Sequence, residues 1–164
     1  DTETKKIEYV VNRNEVTFRI AYNLVDRELR FPPRPNPIRD TLEAYFSDYK
    51  NHKIVLTLSD ADIGYDDVLT QYLLHKKEFP DFGQKYDDSK TIKEMELDGY
   101  MGIDTLYSRI YDELHDFYQT ANVEKFISDM EFYYTGAMKE IMEIADQYDV
   151  VQQMEDYCKM ENYG

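Results

Sequence analysis

The stretch "IDTLYSRIYDELHDFYQT", residues 103–120, decides the fold, because its apolar residues recur every three or four positions. This spacing places one row of apolar side chains along a single face of a helix. A second row follows the connection "QTAN" at 119–122. Together the rows predict a helical hairpin. The first consists of Ile103, Leu106, Ile110, Leu114 and Phe117, and the second of Val123, Phe126, Ile127, Met130, Tyr134, Ala137, Ile141, Ile144 and Tyr148.

The N-terminal half predicts a short strand followed by further helices. "IEYVV" at 7–11 is rich in β-branched residues and is typical of a strand. From Asn14 the apolar spacing becomes helical, with Val16, Ile20 and Leu24 on one face. That helix has to end before the proline-rich "FPPRPNP" at 31–37, and another begins with "PIRDTLEAYF" at 37–46.

The domain organisation follows from length and periodicity. A chain of 164 residues fits one domain, since domains commonly hold about 100 to 150 residues. We expect a mainly α fold, a helical bundle of about five to seven helices with a short N-terminal β-strand. Its predicted parts are a strand and lead-in at 1–13, first helices at 14–78, a long exposed loop at 79–99, and a helical hairpin with a C-terminal helix at 100–160.

Charge and hydropathy exclude several classes of partner. The chain has 34 acidic and 19 basic residues, a formal net charge of -15, which would repel the phosphates of nucleic acid. Its longest apolar run, "IVLTL" at 54–58, falls far short of the roughly 20 residues that a membrane span needs. The lone cysteine, Cys158, is interpreted as a small hydrophobic residue rather than a nucleophile. We therefore expect no nucleic-acid partner and no membrane span.

The aspartate-rich segment "LTLSDADIGYDDVL" at 56–69 resembles a calcium loop but fails its pattern. Counted from Asp60, the fifth position is Gly64 and the twelfth is Gln71, where an EF-hand needs an oxygen ligand and a glutamate. The aspartates fit the positive end of a helix dipole better. The segment therefore predicts the start of the helix "YDDVLTQYLLHK".

Catalytic and metal motifs are missing from the sequence. The three histidines, His52, His75 and His115, do not form the i, i+4 pair of a zinc helix, and no glycine-rich phosphate loop occurs. Asp112 lies one helical turn from His115, a pair more typical of a surface hydrogen bond than of a catalytic dyad, because no nucleophile accompanies it. We expect no catalytic residue and no metal ligand in this chain.

Tyrosine is the one unusual feature of the composition, with sixteen tyrosines and no tryptophan. A tyrosine ring offers contact area and a hydroxyl for recognising sugars or peptides, but it also covers the boundaries of ordinary helices. The candidate binding residues combine hydrogen-bonding capacity with positions at helix starts or beside the apolar rows: Tyr65, His75, Tyr100, His115, Tyr118, Tyr133 and Tyr134.

Four segments resemble successive blocks of a known bacterial family, number 4932 of the domains of unknown function. They are "VNRNEVTFRIAYNL" at 11–24, "IRDTLEAYFSDYKNHKIV" at 38–55, "IGYDDVLTQYLLH" at 63–75 and "YDELHDFYQTANVEKFISDMEFYY" at 111–134. Members of that family are mostly exported proteins that resemble zinc peptidases, because a HExxH helix follows later in the family sequence. HExxH does not occur in this sequence. The resemblance therefore implies the N-terminal helical part of such a protein, with any zinc belonging to the parent protein.

The resemblance implies a function and a location. The chain would form one wall of a substrate cleft, would not be catalytic by itself, and would contact the C-terminal remainder of the same exported protein, whether periplasmic, surface-anchored or secreted. The alternative is a self-contained acidic, tyrosine-rich module that binds a protein, peptide or glycan. A wall should expose an apolar patch where the remainder docks, whereas a complete module should surround one aromatic cleft with polar surface.

Overall fold

The computed structural model describes residues 10–25, 37–61, 67–83, 103–148, 152–153 and 156–157. Seven α-helices are bounded within these residues, and no strand occurs among them, so the mainly α prediction is confirmed. A 3-10 turn, Ser47–Tyr49, follows the second helix. The helices are α1 Arg13–Leu24, α2 Pro37–Phe46, α3 Lys53–Asp60, α4 Asp67–Leu74, α5 Ile103–Thr120, α6 Val123–Asp129 and α7 Glu131–Tyr148.

Two predicted elements lie partly outside the described residues. The strand at 7–11 is described only at Val10 and Val11, which have no regular structure. The loop at 79–99 is described only as far as Gly83. The prediction of an exposed loop is wrong for its first residue, which is buried. Phe79 is 1% exposed, because its ring packs beneath α5 and its backbone N–H bonds to a buried side chain of α1. Phe79 therefore belongs to the core, whereas Pro80, Asp81 and Phe82 after it are exposed.

The chain divides into two compact units, residues 12–126 and residues 1–11 with 127–164. The first unit contains α1 to α5 and the first residues of α6, and it holds the large fully buried side chains. The second unit contains α7. The boundary between the units falls inside α6, after Phe126.

Helix α1 is the element around which the first unit is arranged. Its first turn is capped by Asn12, whose side-chain oxygen accepts the backbone N–H of Glu15 at 3.1 Å. Phe18 and Ala21 are completely buried on the inner face of the helix, and Ile20 is 1% exposed. The helix packs against α2, α3, α4 and α5.

Helix α5 supplies the other half of this core. Most side chains of the first predicted apolar row are buried or half-buried along it. Ile110, Leu114 and Phe117 are 0% exposed, and Leu106 is half-buried. Three tyrosines that the row omitted are also buried, Tyr107, Tyr111 and Tyr118. Their rings cover apolar neighbours, and the hydroxyls of Tyr111 and Tyr118 reach polar partners at the helix edge.

Phenylalanines join α5 to α2 and α6. The ring centroid of Phe46 lies 6.0 Å from that of Phe117 and 5.0 Å from that of Phe126, and Phe126 also meets Tyr45 edge-on at 5.0 Å. A fully buried side chain of this size contributes about 1.5 to 3 kcal/mol relative to its exposed state. These rings therefore hold three helices together.

The second predicted row is divided between two helices and is buried only at its start. Val123 and Phe126 on α6 are 0% and 1% exposed, whereas Ile141, Ile144 and Tyr148 on α7 are 49%, 57% and 54% exposed. Helical spacing indicates which side chains share a face, and it does not say what covers that face.

Replacing a buried ring should be far more costly than replacing an exposed one. We expect Phe117→Ala to lower the free energy of unfolding by about 3 to 5 kcal/mol, because it leaves a cavity between α2, α3 and α5. Phe132→Ala, at a side chain that is 91% exposed, should change it by no more than about 0.5 kcal/mol. Urea unfolding measures both, and equal shifts of the two midpoints would contradict this core.

Candidate functional site

Asn14 is a buried amide that joins three separate parts of the first unit. It is 0% exposed, and its Nδ2 donates hydrogen bonds to the carbonyl oxygens of Leu73 and Lys77, both at 3.0 Å. Its Oδ1 accepts the backbone N–H of Phe79 at 3.0 Å. Both donors of the amide and its oxygen are therefore satisfied, as a buried polar group requires. The end of α4 and the turn that follows it, residues 75–83, are therefore fixed against α1.

The ring of Phe79 forms the centre of an aromatic cluster against α5. Its centroid lies 5.4 Å from Tyr111, 5.4 Å from His115 and 5.3 Å from Tyr118. Phe82 stacks on the other side of the cluster, 5.1 Å from Tyr111 with an angle of 8° between the rings. Because Phe82 is 49% exposed, the cluster presents one aromatic face to solvent.

Tyr111 closes the turn that carries both phenylalanines. Its hydroxyl donates to the carbonyl of Lys77 at 3.0 Å and accepts the backbone N–H of Gly83 at 3.2 Å. Burial raises the pKa of this phenol. Gly83 has a φ of 114°, a conformation that side-chain-bearing residues rarely adopt. The turn therefore needs both this tyrosine and this glycine.

A charged cluster next to Phe79 joins α1, the turn and α6. The Nε of Arg13 donates to Glu124 at 2.8 Å, and its Nη1 donates to Glu78 at 3.1 Å. The hydroxyl of Tyr118 donates to the same Glu124 carboxylate at 2.5 Å. These contacts make a clamp, defined here as Arg13, Glu78, Tyr118 and Glu124.

The contacts of the clamp keep Arg13 and Glu124 charged and the phenol of Tyr118 neutral. The bond to Glu124 raises the pKa of Arg13, and the guanidinium and phenol donors lower the pKa of Glu124. Burial, followed by the bond to Glu124, raises the pKa of Tyr118 to about 12. A general base needs a pKa near the working pH, whereas the pKa of this phenol is raised still further above that pH. The clamp is therefore suited to holding structure and not to proton transfer.

Among the described residues of the first unit, two surface pockets border the clamp and helices α1 to α3. One, of about 620 Å³, borders the clamp and includes Pro80 and Asp81. The other, of about 730 Å³, lies between the C-terminal end of α1, the middle of α2 and the outer side of α3, and its lining includes Arg39 and Lys50. Both volumes fall within the range of small-molecule sites.

The predicted site residues are only partly brought together. His115 and Tyr118 both pack on Phe79. His75 lies apart at the end of α4, with its Nδ1 2.8 Å from the carbonyl of Gln71. Tyr133 and Tyr134 are on α7, half-exposed and half-buried respectively, and burial raises the pKa of Tyr134. Tyr65 and Tyr100 lie outside the described residues.

The predicted bond between Asp112 and His115 is replaced by others. The Nε2 of His115 lies 3.3 Å from the carbonyl of Pro80 and 3.2 Å from Gln119, because the ring turns toward Phe79 and Phe82. Asp67 begins α4, as the helix-start interpretation predicts, whereas Asp60 is the last residue of α3, and residues 62–66 lie outside the described residues.

Sequence reasoning missed several of the residues that organise the site. Asn14 falls on the apolar face of α1, four residues before Phe18, and an amide in that position is a signal that could have been used. His52 caps α3 with Nδ1, which accepts the N–H of Ile54, and its Nε2 lies 3.2 Å from Asp116. The contacts from Arg13 to Glu124 and from His52 to Asp116 join residues far apart in sequence, and no local pattern marks them.

Within the described residues, no group of three or more His, Cys, Asp and Glu side chains is arranged to hold a metal ion. In the same part of the chain, no helix is long and apolar enough to cross a membrane. No family model, curated protein or solved structure matches the chain.

Removing the two amide donors of Asn14 should unfold the site. We expect Asn14→Asp to lower the free energy of unfolding by about 3 to 5 kcal/mol, because the carboxylate meets two buried carbonyl oxygens that it cannot bond. Asn23→Asp is the matched control on α1, where an exposed amide donates to the carbonyl of Arg19. It should cost less than about 1 kcal/mol in urea unfolding, and similar costs for the two variants would refute the central role of Asn14.

The clamp should make Tyr118 lose its phenolic proton at a higher pH than an ordinary tyrosine does. The pKa of Tyr118 is raised from 10.0 to about 12 in the folded chain. The neutral phenol therefore contributes stability that is fully present below about pH 10 and is lost as pH rises through about 12. In ultraviolet titrations of tyrosinate, Tyr118→Phe should remove a step near pH 12. The exposed control Tyr157→Phe should leave that step in place, and finding the step in both variants would contradict the clamp.

Proposed function

We propose that this chain is the non-catalytic helical part of an exported zinc-peptidase-like protein and that the remaining part of that protein docks on α7. The observation that supports the docking is the exposure of apolar side chains along this helix. Ile141, Ile144 and Tyr148 are each about half exposed and recur at helical spacing. Tyr134 and Met138, on the same side, are half-buried.

The size and orientation of this apolar side fit a partner surface. At 1.5 Å rise per residue, the 18 residues of α7 extend about 27 Å, enough for five turns of contact. The exposed and half-buried apolar residues at 134, 138, 141, 144 and 148 share one side of the helix, whereas Lys139 and Glu143 lie on the other. Contiguous exposed apolar surface of this kind marks an interaction site.

The resemblance supplies the identity of the docked partner in this proposal. Family members continue into a HExxH segment, and zinc and its ligands would belong to that remainder. The chain would then form one wall of the substrate cleft without contributing a catalytic residue. Such a protein would be exported, as the family members are.

A second candidate function is a self-contained binding module for a protein, peptide or glycan. The observation that favours it is the exposed ring of Phe82, held flat against Tyr111 and 4.6 Å from His115. An aromatic ring fixed in this way offers a flat apolar surface with polar groups at its edge. Under this proposal Phe82, and not α7, carries the affinity.

The docking proposal predicts that substitutions on the apolar side of α7 weaken the association and that substitutions on its other side do not. With the chain and the remainder encoded after it produced as separate polypeptides, Ile141→Glu with Ile144→Glu should weaken their association about 100-fold, since two buried anchors each contribute 1.4 kcal/mol or more. Phe132→Glu, on the other side of the helix, should weaken it less than about threefold. Isothermal titration calorimetry measures both.

Three outcomes separate the two candidate functions. A reading frame that ends without a HExxH segment, or a remainder that does not bind, contradicts the peptidase-like proposal. Binding of a peptide or glycan that Phe82→Ala abolishes, with the α7 variants unaffected, supports the self-contained module. Zinc bound stoichiometrically by the isolated chain would contradict the peptidase-like proposal.

A further inference from the structure

The pocket between α1, α2 and α3 has the size and lining of a ligand site. Its volume of about 730 Å³ would hold a small organic molecule or a peptide of a few residues. Its apolar part comes from Leu24 on α1 and from Val55 and Leu56 on α3. Leu56 is 49% exposed, so an apolar side chain is available to an occupant of the pocket.

The residues that line the pocket carry a net charge opposite in sign to that of the whole chain. Its charged lining residues are Arg39, Lys50 and Glu43, a local balance of +1 (two basic minus one acidic) in a chain whose formal net charge is -15. The Nε of Arg39 donates to Glu43 at 2.9 Å, which leaves its terminal nitrogens as donors. Among the described residues Lys50 is in no ion pair.

The donors present favour one kind of anion. Arg39 presents a planar group that matches a carboxylate, and Lys50 adds a second positive charge. The nearby start of α3 offers few free backbone donors, because His52 already accepts the N–H groups of Ile54, Val55 and Leu56. A phosphate usually draws on such free N–H groups. A singly charged carboxylate beside an apolar surface fits this pocket better.

We propose that this pocket binds a ligand that combines a carboxylate with a small aliphatic body. The carboxylate lies between Arg39 and Lys50, and the aliphatic part rests on Leu56 and Val55. Two sources share this chemistry, a free small acid and the C-terminal residue of a peptide. The proposal does not depend on what docks on α7.

The test uses the whole chain and three probes: N-acetyl-L-leucine, its neutral amide N-acetyl-L-leucinamide, and an acetylated alanyl-alanyl-leucine with a free carboxylate. In nuclear magnetic resonance titrations the first should bind with a Kd of about 1 mM, as expected for so few atoms. It should shift the amide signals of Leu56 and Ser59, and the neutral amide should bind about tenfold more weakly. A tripeptide that binds more tightly than the free acid identifies a peptide terminus as the source, and one that binds more weakly identifies a small acid.

A matched pair of lysine variants locates the carboxylate. Lys50→Gln should weaken N-acetyl-L-leucine about tenfold. Lys53→Gln should change its Kd less than about twofold, because Lys53 pairs with Asp116 at 3.0 Å and does not line the pocket. The proposal is overturned if acid and amide bind the unmodified chain equally, if neither moves the pocket signals, or if the two lysine variants weaken binding alike. The comparison of acid with amide needs no variant and is independent of any effect on folding.

Discussion

The three hydrogen bonds of the buried Asn14 amide are the constraint on which the rest of the first unit depends. They hold the end of α4 and the turn after it against α1, although these segments lie about 60 residues apart in sequence. With the backbone of Phe79 fixed, its ring fills the space beneath α5. A buried amide with every bond satisfied is stable in one arrangement, because any shift leaves a polar group unpaired away from water.

The aromatic cluster and the charged clamp both follow from the position of Phe79. Its ring supports Tyr111 and, through Tyr111, the exposed Phe82. The same turn brings Glu78 to Arg13, which also binds Glu124. These ion pairs are partly exposed, so they define the arrangement of α1, the turn and α6 more than they stabilise it.

Helix faces could be predicted from the spacing of apolar residues in the sequence. Contacts between residues that are distant in sequence could not. The row of α5 was predicted because a buried helix face repeats every three or four residues, and Ile110, Leu114 and Phe117 are buried accordingly. The same spacing in α7 gave the same prediction, yet Ile141 and Ile144 are exposed, since spacing does not identify a partner. Phe79 was expected on an exposed loop because proline and glycine surround it, and only the amide of Asn14 explains its burial. For the candidate site, His115 and Tyr118 were found, while Asn14, Arg13 and Phe82 were not.

Native-state hydrogen exchange at the backbone amide of Phe79 tests this account most directly. The amide lies at the edge of a turn, where exchange is ordinarily fast, but here it donates to Asn14 and is buried. We expect it to exchange only through global unfolding, at the rate of the Ile110 and Leu114 amides in the middle of α5. Exchange by local opening, orders of magnitude faster than in α5, would show that the turn is not fixed by Asn14 and would contradict the account.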